Sequence, residues 1–205
     1  MIRAEFEKLL TVRGTYVAAL AALVLAGALA TTDTLEDLAV YPAATAGFVA
    51  AHLLGEEFAS GAIANTLVPR PDRLKLIAAK AFAAAAAGAA LGLLAATTML
   101  AVWARLDPGF LAATTVVTAG FAVAGTAAAA IGRRPGTASA IFAAVYLVAA
   151  GLLGSSTGLS FWNDYGIGAV QRKLLDGDVS GLPLTVAYAL IFVSLGAWAA
   201  RRADL

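Results

Sequence analysis

Two uncharged runs decide what this chain can become. From Ala81 to Ala104, and again from Pro108 to Gly132, there is no Asp, Glu, Lys, Arg or His. A helix rises about 1.5 Å per residue and a bilayer's hydrocarbon core is about 30 Å thick, so a crossing needs roughly 20 mostly apolar residues. Both runs supply them. Six segments in all approach or meet the requirement, and they run approximately Thr15 to Ala30, Val40 to Leu54, Ile77 to Val102, Leu111 to Ile131, Thr137 to Leu153 and Leu184 to Ala200. The first, second and fifth are short, and need flanking residues or local bilayer thinning to complete the crossing. Every proline (Pro42, Pro69, Pro71, Pro108, Pro135, Pro183) falls at a span edge or in a connection, where it breaks no helix. With 61% hydrophobic residues among 205 and a mean hydropathy of +0.85, the chain carries more apolar surface than a soluble domain of its length can bury. The expected fold is an all-α integral membrane protein of six transmembrane helices, one domain over residues 1–205.

The net charge of +1 hides a strong pattern along the chain. Assigning alternate connections to opposite sides puts Arg3, Lys8, Arg13, Arg70, Arg73, Lys75, Lys80, Arg133, Arg134, Arg201 and Arg202 on one side. Arg105, Arg172 and Lys173 fall on the other, so the positive-inside rule places both termini in the cytoplasm. The first outer loop holds the acids Asp33, Glu36 and Asp37, which agrees. There is no cysteine, which excludes a disulfide framework, a thiolate metal site and a cysteine nucleophile, and His52 is the lone histidine. Ala28-Leu29-Ala30 has the small-x-small form of a signal-peptide cleavage site. The acids Glu5 and Glu7 ahead of the first span weigh against that, because a signal peptide opens short and basic. Residues 1–14 read instead as an amphipathic helix in the cytoplasmic interface, with Ile2, Phe6, Leu9 and Leu10 on one face and Arg3, Glu7 and Lys8 around the other.

Short links suffice to join six helices, and two connections are long. The first, a cytoplasmic segment over residues 55–76, mixes acids (Glu56, Glu57), bases (Arg70, Arg73) and apolar residues. Phe58, Ile63 and Leu67 recur at roughly helical spacing, which predicts a short amphipathic helix ending before Pro69. The second, over residues 154–183, lies outside and holds Phe161, Trp162 and Tyr165, aromatics that favour headgroup depth. Short interfacial or re-entrant helices forming an extracellular lid are expected there.

These features resemble the permease subunits of type-2 exporter-class ABC transporters, and the resemblance spans nearly the whole chain. The opening Ala4-Glu5-Phe6-Glu7-Lys8-Leu9-Leu10-Thr11-Val12-Arg13 is similar to the family's amphipathic start. The residues Glu56, Glu57, Phe58, Gly61, Ile63, Thr66, Leu67, Pro69 and Arg73, with Lys80 at the start of the third span, are similar to its coupling segment. The outer insertion before the last span matches the place of its re-entrant helices. Ala62 and Ala64 depart from the pattern, standing where the family commonly has a Thr and a basic residue. The resemblance implies two permease subunits, identical or not, and cytoplasmic ABC ATPases docked on Glu56, Glu57, Phe58, Gly61, Ile63, Asn65, Thr66, Leu67, Pro69, Arg70 and Arg73. The chain has no Gly-x4-Gly-Lys-Ser/Thr loop, so ATP and Mg are expected on the partner ATPase, with no cofactor on this chain and no catalysis of its own. The implied location is the cell membrane, a bacterial inner membrane, with no nucleic-acid partner.

Other chemistry is weaker. Gly154-Ser155-Ser156-Thr157-Gly158 matches the Gly-x-Ser-x-Gly pattern of serine hydrolases, yet His52 is the one imidazole and belongs at the opposite bilayer face. His52 also reads as a structural interfacial histidine or as a proton-linked group. Gly88-x3-Gly92 permits close helix approach, although in so alanine-rich a chain the spacing also arises by chance. No chain of acids or bases runs through the spans, while Thr97, Thr98, Thr114, Thr115, Thr118, Ser139 and Ser194 lie among small apolar residues. That lining suits export of a hydrophobic or amphipathic cargo such as a lipid-like molecule, drug or peptide. A membrane scaffold or immunity protein without transport is the alternative.

Overall fold

A computed structural model describes residues 40–63, 73–103, 107–149 and 180–201, together with positions 20, 24, 173, 174 and 176–178. Its elements are helices: α1 (Val40–Ala59), α2 (Arg73–Val102), α3 (Pro108–Gly132), α4 (Pro135–Ala149) and α5 (Gly181–Arg201), with no strand among the described residues. Three stretches, Lys75–Val102, Pro108–Gly132 and Gly181–Ala199, are long and apolar enough to cross a membrane. The protein is therefore an all-helical membrane protein.

Capping residues set the helix ends. Asp107 accepts a hydrogen bond from the Phe110 backbone N–H at 3.0 Å through Oδ1, and Pro108 follows it in the first turn of α3, where a missing N–H costs nothing. At the other end Arg133 takes a left-handed conformation (φ 54°) and its N–H returns to the Ala129 carbonyl at 2.8 Å. Pro135 then opens α4 directly, so α3 and α4 form a tight helical hairpin. The helix expected to end at Leu54 continues through Gly55 to Ala59. Gly55 acts there as a point of close approach, because a Cβ on it would lie 2.8 Å from the Pro135 Cα. The break comes at Gly61, whose φ of 72° favours glycine. α2 and α5 begin three or four residues earlier than their apolar runs, at Arg73 and Gly181. The first span (except Leu20 and Val24), residues 1–14 and the expected lid residues Phe161, Trp162 and Tyr165 lie outside the described residues, as does the expected continuation of α4 beyond Ala149.

α3 is the centre of the bundle, with 67% of its spanning window buried against 17% for that of α5. It packs on each of the other four helices. Small residues allow the approach. A Cβ on Gly125 would meet the Gly47 carbonyl oxygen of α1 at 2.2 Å, and one on Gly88 of α2 would lie 2.8 Å from the Ala122 Cβ. The seam between α2 and α3 runs through Gly88 and Gly92, the pair singled out by spacing. Over Gly47 sits the Phe142 ring of α4, fully buried, edge-on to Phe48 and Phe121 with centroids 5.0 and 6.3 Å away. These contacts also fix direction. Gly47 meets Gly125 and Gly55 meets Pro135, so α1 and α3 run parallel, while Gly88 near Ala122 and Gly92 near Thr114 make α2 antiparallel to both. Gly120 beside Thr185 and Gly196 beside Ala127 set α5 parallel to α3.

Candidate functional site

That alternation gathers the end of α1, the start of α2, the α3–α4 turn and the end of α5 at one end of the bundle. Lys75, Lys80, Arg133, Arg134 and Arg201 are there, while the described part of the connection before α5 holds Lys173, Asp176 and Asp178. The two described flanks of the expected segment over 55–76, residues 55–63 and 73–76, lie at this basic end.

The last turn of α1 carries two adjacent acids that the helix sends in different directions. Glu56 lies beside His52 one turn earlier, Oε1 3.3 Å from Nε2, with both side chains more than half exposed. This assigns His52 to a surface pair near the helix end. Glu57 turns the other way and meets Lys80 of α2, Nζ to Oε2 at 2.5 Å. Lys80 is 5% exposed and Glu57 25%, so the pair is sheltered from bulk water on the lysine side. An ammonium ion at that depth needs a carboxylate, because removing charge from water is costly unless it is compensated. The pair thus ties the end of α1 to the first turns of α2, across the connection formed by residues 64–72.

The chain then caps α1. The Ser60 N–H donates to the Glu56 carbonyl at 2.8 Å, and the Ser60 hydroxyl donates to that of Glu57 at 3.3 Å. Residues 62–63 turn helical again beyond Gly61, where the sequence places a short amphipathic helix; Asn65, Thr66, Leu67, Pro69 and Arg70 lie outside the described residues, and of Arg73 only the helical backbone is described. Phe58 (9% exposed) and Ile63 (2% exposed) join Leu54, Leu76 and Ile77 in the protein's own core. The apolar spacing expected to offer these two residues to a partner seats them inside the chain instead. Glu56, Ala59 and Ser60 are exposed, and Gly61 is partly so.

Sequence reasoning used Arg133 and Arg134 for orientation alone. In the structure they border, with Phe58, Ala59, Gly132, Pro135, Gly136 and Thr137, an open pocket of about 780 Å³ between the end of α1 and the α3–α4 turn. An Arg-Arg-Pro run at a helix junction was the available signal. Arg133 Nη2 also donates to the Ala199 carbonyl at 3.4 Å, reaching the last turn of α5. The Gly-x-Ser-x-Gly run at 154–158 lies outside the described residues. No family model matches the chain, and no curated protein sequence matches it.

Proposed function

We propose that this protein is the permease subunit of an ATP-driven ABC transporter, moving a hydrophobic or amphipathic cargo out of the cell, with the basic end of the bundle docking a cytoplasmic ATPase. The observation that carries the reading is the Glu57–Lys80 pair. A segment whose two flanking helices are clasped together passes a push on to both, which is what coupling to a moving partner requires. The order of sequence features agrees: an amphipathic start, a mixed-charge segment after the second span, a basic residue at the start of the third, and an aromatic insertion before the last. In this reading there are six spans, both termini face the cytoplasm of a bacterial inner membrane, a second permease completes the complex, and ATP and Mg belong to the ATPase. The alternating direction of the five described helices and the apolar run from Thr15 to Ala30 in the sequence support this reading.

Docking falls on the exposed Glu56, Ala59 and Ser60 with residues 64–72, rather than on Phe58 and Ile63, which the chain covers itself. The test is affinity purification of the tagged chain from its native membrane, comparing wild type with a Glu56→Lys, Arg70→Glu variant that leaves the Glu57–Lys80 pair intact. Recovery of an ABC ATPase with wild type and its loss with the variant is the expected result. Recovery with both moves the docking surface elsewhere. Recovery with neither, under conditions where known complexes survive, refutes the transporter reading in favour of a membrane scaffold.

A further inference from the structure

The pocket between α1 and the α3–α4 turn has chemistry that ATPase docking does not use. Two guanidinium groups, Arg133 and Arg134, stand on its wall, and neither forms an ion pair with a carboxylate among the described residues. Arg134 is exposed, and the side-chain contact of Arg133 is with the neutral Ala199 carbonyl. Arginine presents a planar fork of donors that matches phosphate oxygens, and two of them on one pocket wall favour an anion there. Thr137 adds a hydroxyl, while Phe58, Ala59 and Pro135 make the rest of the lining largely apolar.

Position decides which anion. Arg133 follows directly on α3, a helix long enough to cross the bilayer, so the pocket opens at headgroup depth. Its volume of about 780 Å³ is far larger than a lone phosphate needs and leaves room for a phosphodiester beside an apolar wall. A basic pocket between membrane helices on the positive side is the arrangement that recognises acidic lipid headgroups. We propose that this pocket binds the phosphate headgroup of an anionic glycerophospholipid and so ties the end of α1 to the α3–α4 turn. This inference requires the membrane fold alone and is independent of the transporter reading.

The test measures binding of phosphatidylglycerol, with phosphatidylcholine as the neutral-headgroup control, to the full chain in detergent by native mass spectrometry. Wild type should prefer phosphatidylglycerol, and Arg134→Gln, whose side chain makes no hydrogen bond or ion pair among the described residues, should weaken that preference about five-fold. The Arg133→Gln, Arg134→Gln variant should abolish it, while Lys75→Gln, a charge change outside the pocket, should leave it. Gly136→Trp offers a second route, since a Cβ there meets nothing within 4 Å and the large ring can fill the pocket with both charges kept. It too should lose the lipid. Equal binding of both lipids by wild type, an unchanged preference in Arg134→Gln, or retention by Gly136→Trp overturns the proposal. So does full displacement of the lipid by inorganic phosphate at matched phosphate concentration, which would make the site a free-anion site.

Discussion

Thr114 is the residue at which the core is least satisfied. Its side chain is fully buried between α2 and α3, yet Oγ1 has no hydrogen-bond partner among the described residues, whereas Thr118 and Thr126 nearby donate to carbonyls of their own helix at 2.7 Å. Back-bonding to a preceding carbonyl is the usual solution for a threonine inside a helix, and Thr114 departs from it. A buried polar atom left unmatched costs about 1–3 kcal/mol, so Thr114→Val, nearly isosteric, should be neutral or stabilising by about 1 kcal/mol, read as a rise in the thermal unfolding midpoint. A fall of similar size would mean that the hydroxyl has a partner after all. Asp178, before α5, is the opposite case. The Ser180 backbone N–H at 2.9 Å and its hydroxyl at 2.8 Å both donate to the carboxylate, and together with Lys173 they hold it below its ordinary value of 3.8. A carboxylate depressed on folding contributes stability that is fully present above the unfolded value and is lost as pH falls through the folded one. Asp178→Asn should therefore flatten the dependence of the unfolding midpoint on pH in the acid range and leave the shape of the curve at neutral pH unchanged.

At the scale of elements, the ion pair between α1 and α2 makes the sharpest claim. Lys80→Met removes this ion pair and should destabilise by about 2–3 kcal/mol, less than loss of a fully buried pair because Glu57 keeps 25% exposure. Glu57→Gln with Lys80→Met should recover most of that, and the double-mutant cycle in thermal unfolding measures the coupling. Additive losses would show that the two side chains act independently. The sequence makes the long helices legible: α2, α3 and α5 start and stop within a few residues of their apolar runs, because charge is largely excluded from the hydrocarbon core whatever the tertiary contacts. It does not place the end of α1, since Gly55 reads as a breaker until its neighbour Pro135 is known. Nor does it pair Glu57 with Lys80, which lie 23 positions apart and read separately, Glu57 as a docking residue and Lys80 as the basic residue at the start of the third span. Periodicity finds the apolar face of Phe58 and Ile63 but cannot say whether the chain or a partner covers it.

For the whole molecule, charge and direction agree. The basic residues of the described helices share one end, and the helices alternate so that residues 60 and 178 lie on opposite ends, separated by α2, α3 and α4. The apolar helices are legible because lipid imposes a one-dimensional code on the chain, whereas the Arg133–Arg134 pocket is not, because it is made by three helix ends that meet only in three dimensions. The chain has no cysteine, so single cysteines report position without background. The most direct test of the account is to introduce Ser60→Cys and Asp178→Cys separately and label intact cells and inside-out vesicles with a membrane-impermeant maleimide. The account predicts that Ser60→Cys is labelled from the cytoplasmic side alone and Asp178→Cys from the outer side alone. Labelling of both from the same side would contradict it, because an ATPase could not then dock on the basic end with the spans arranged as proposed.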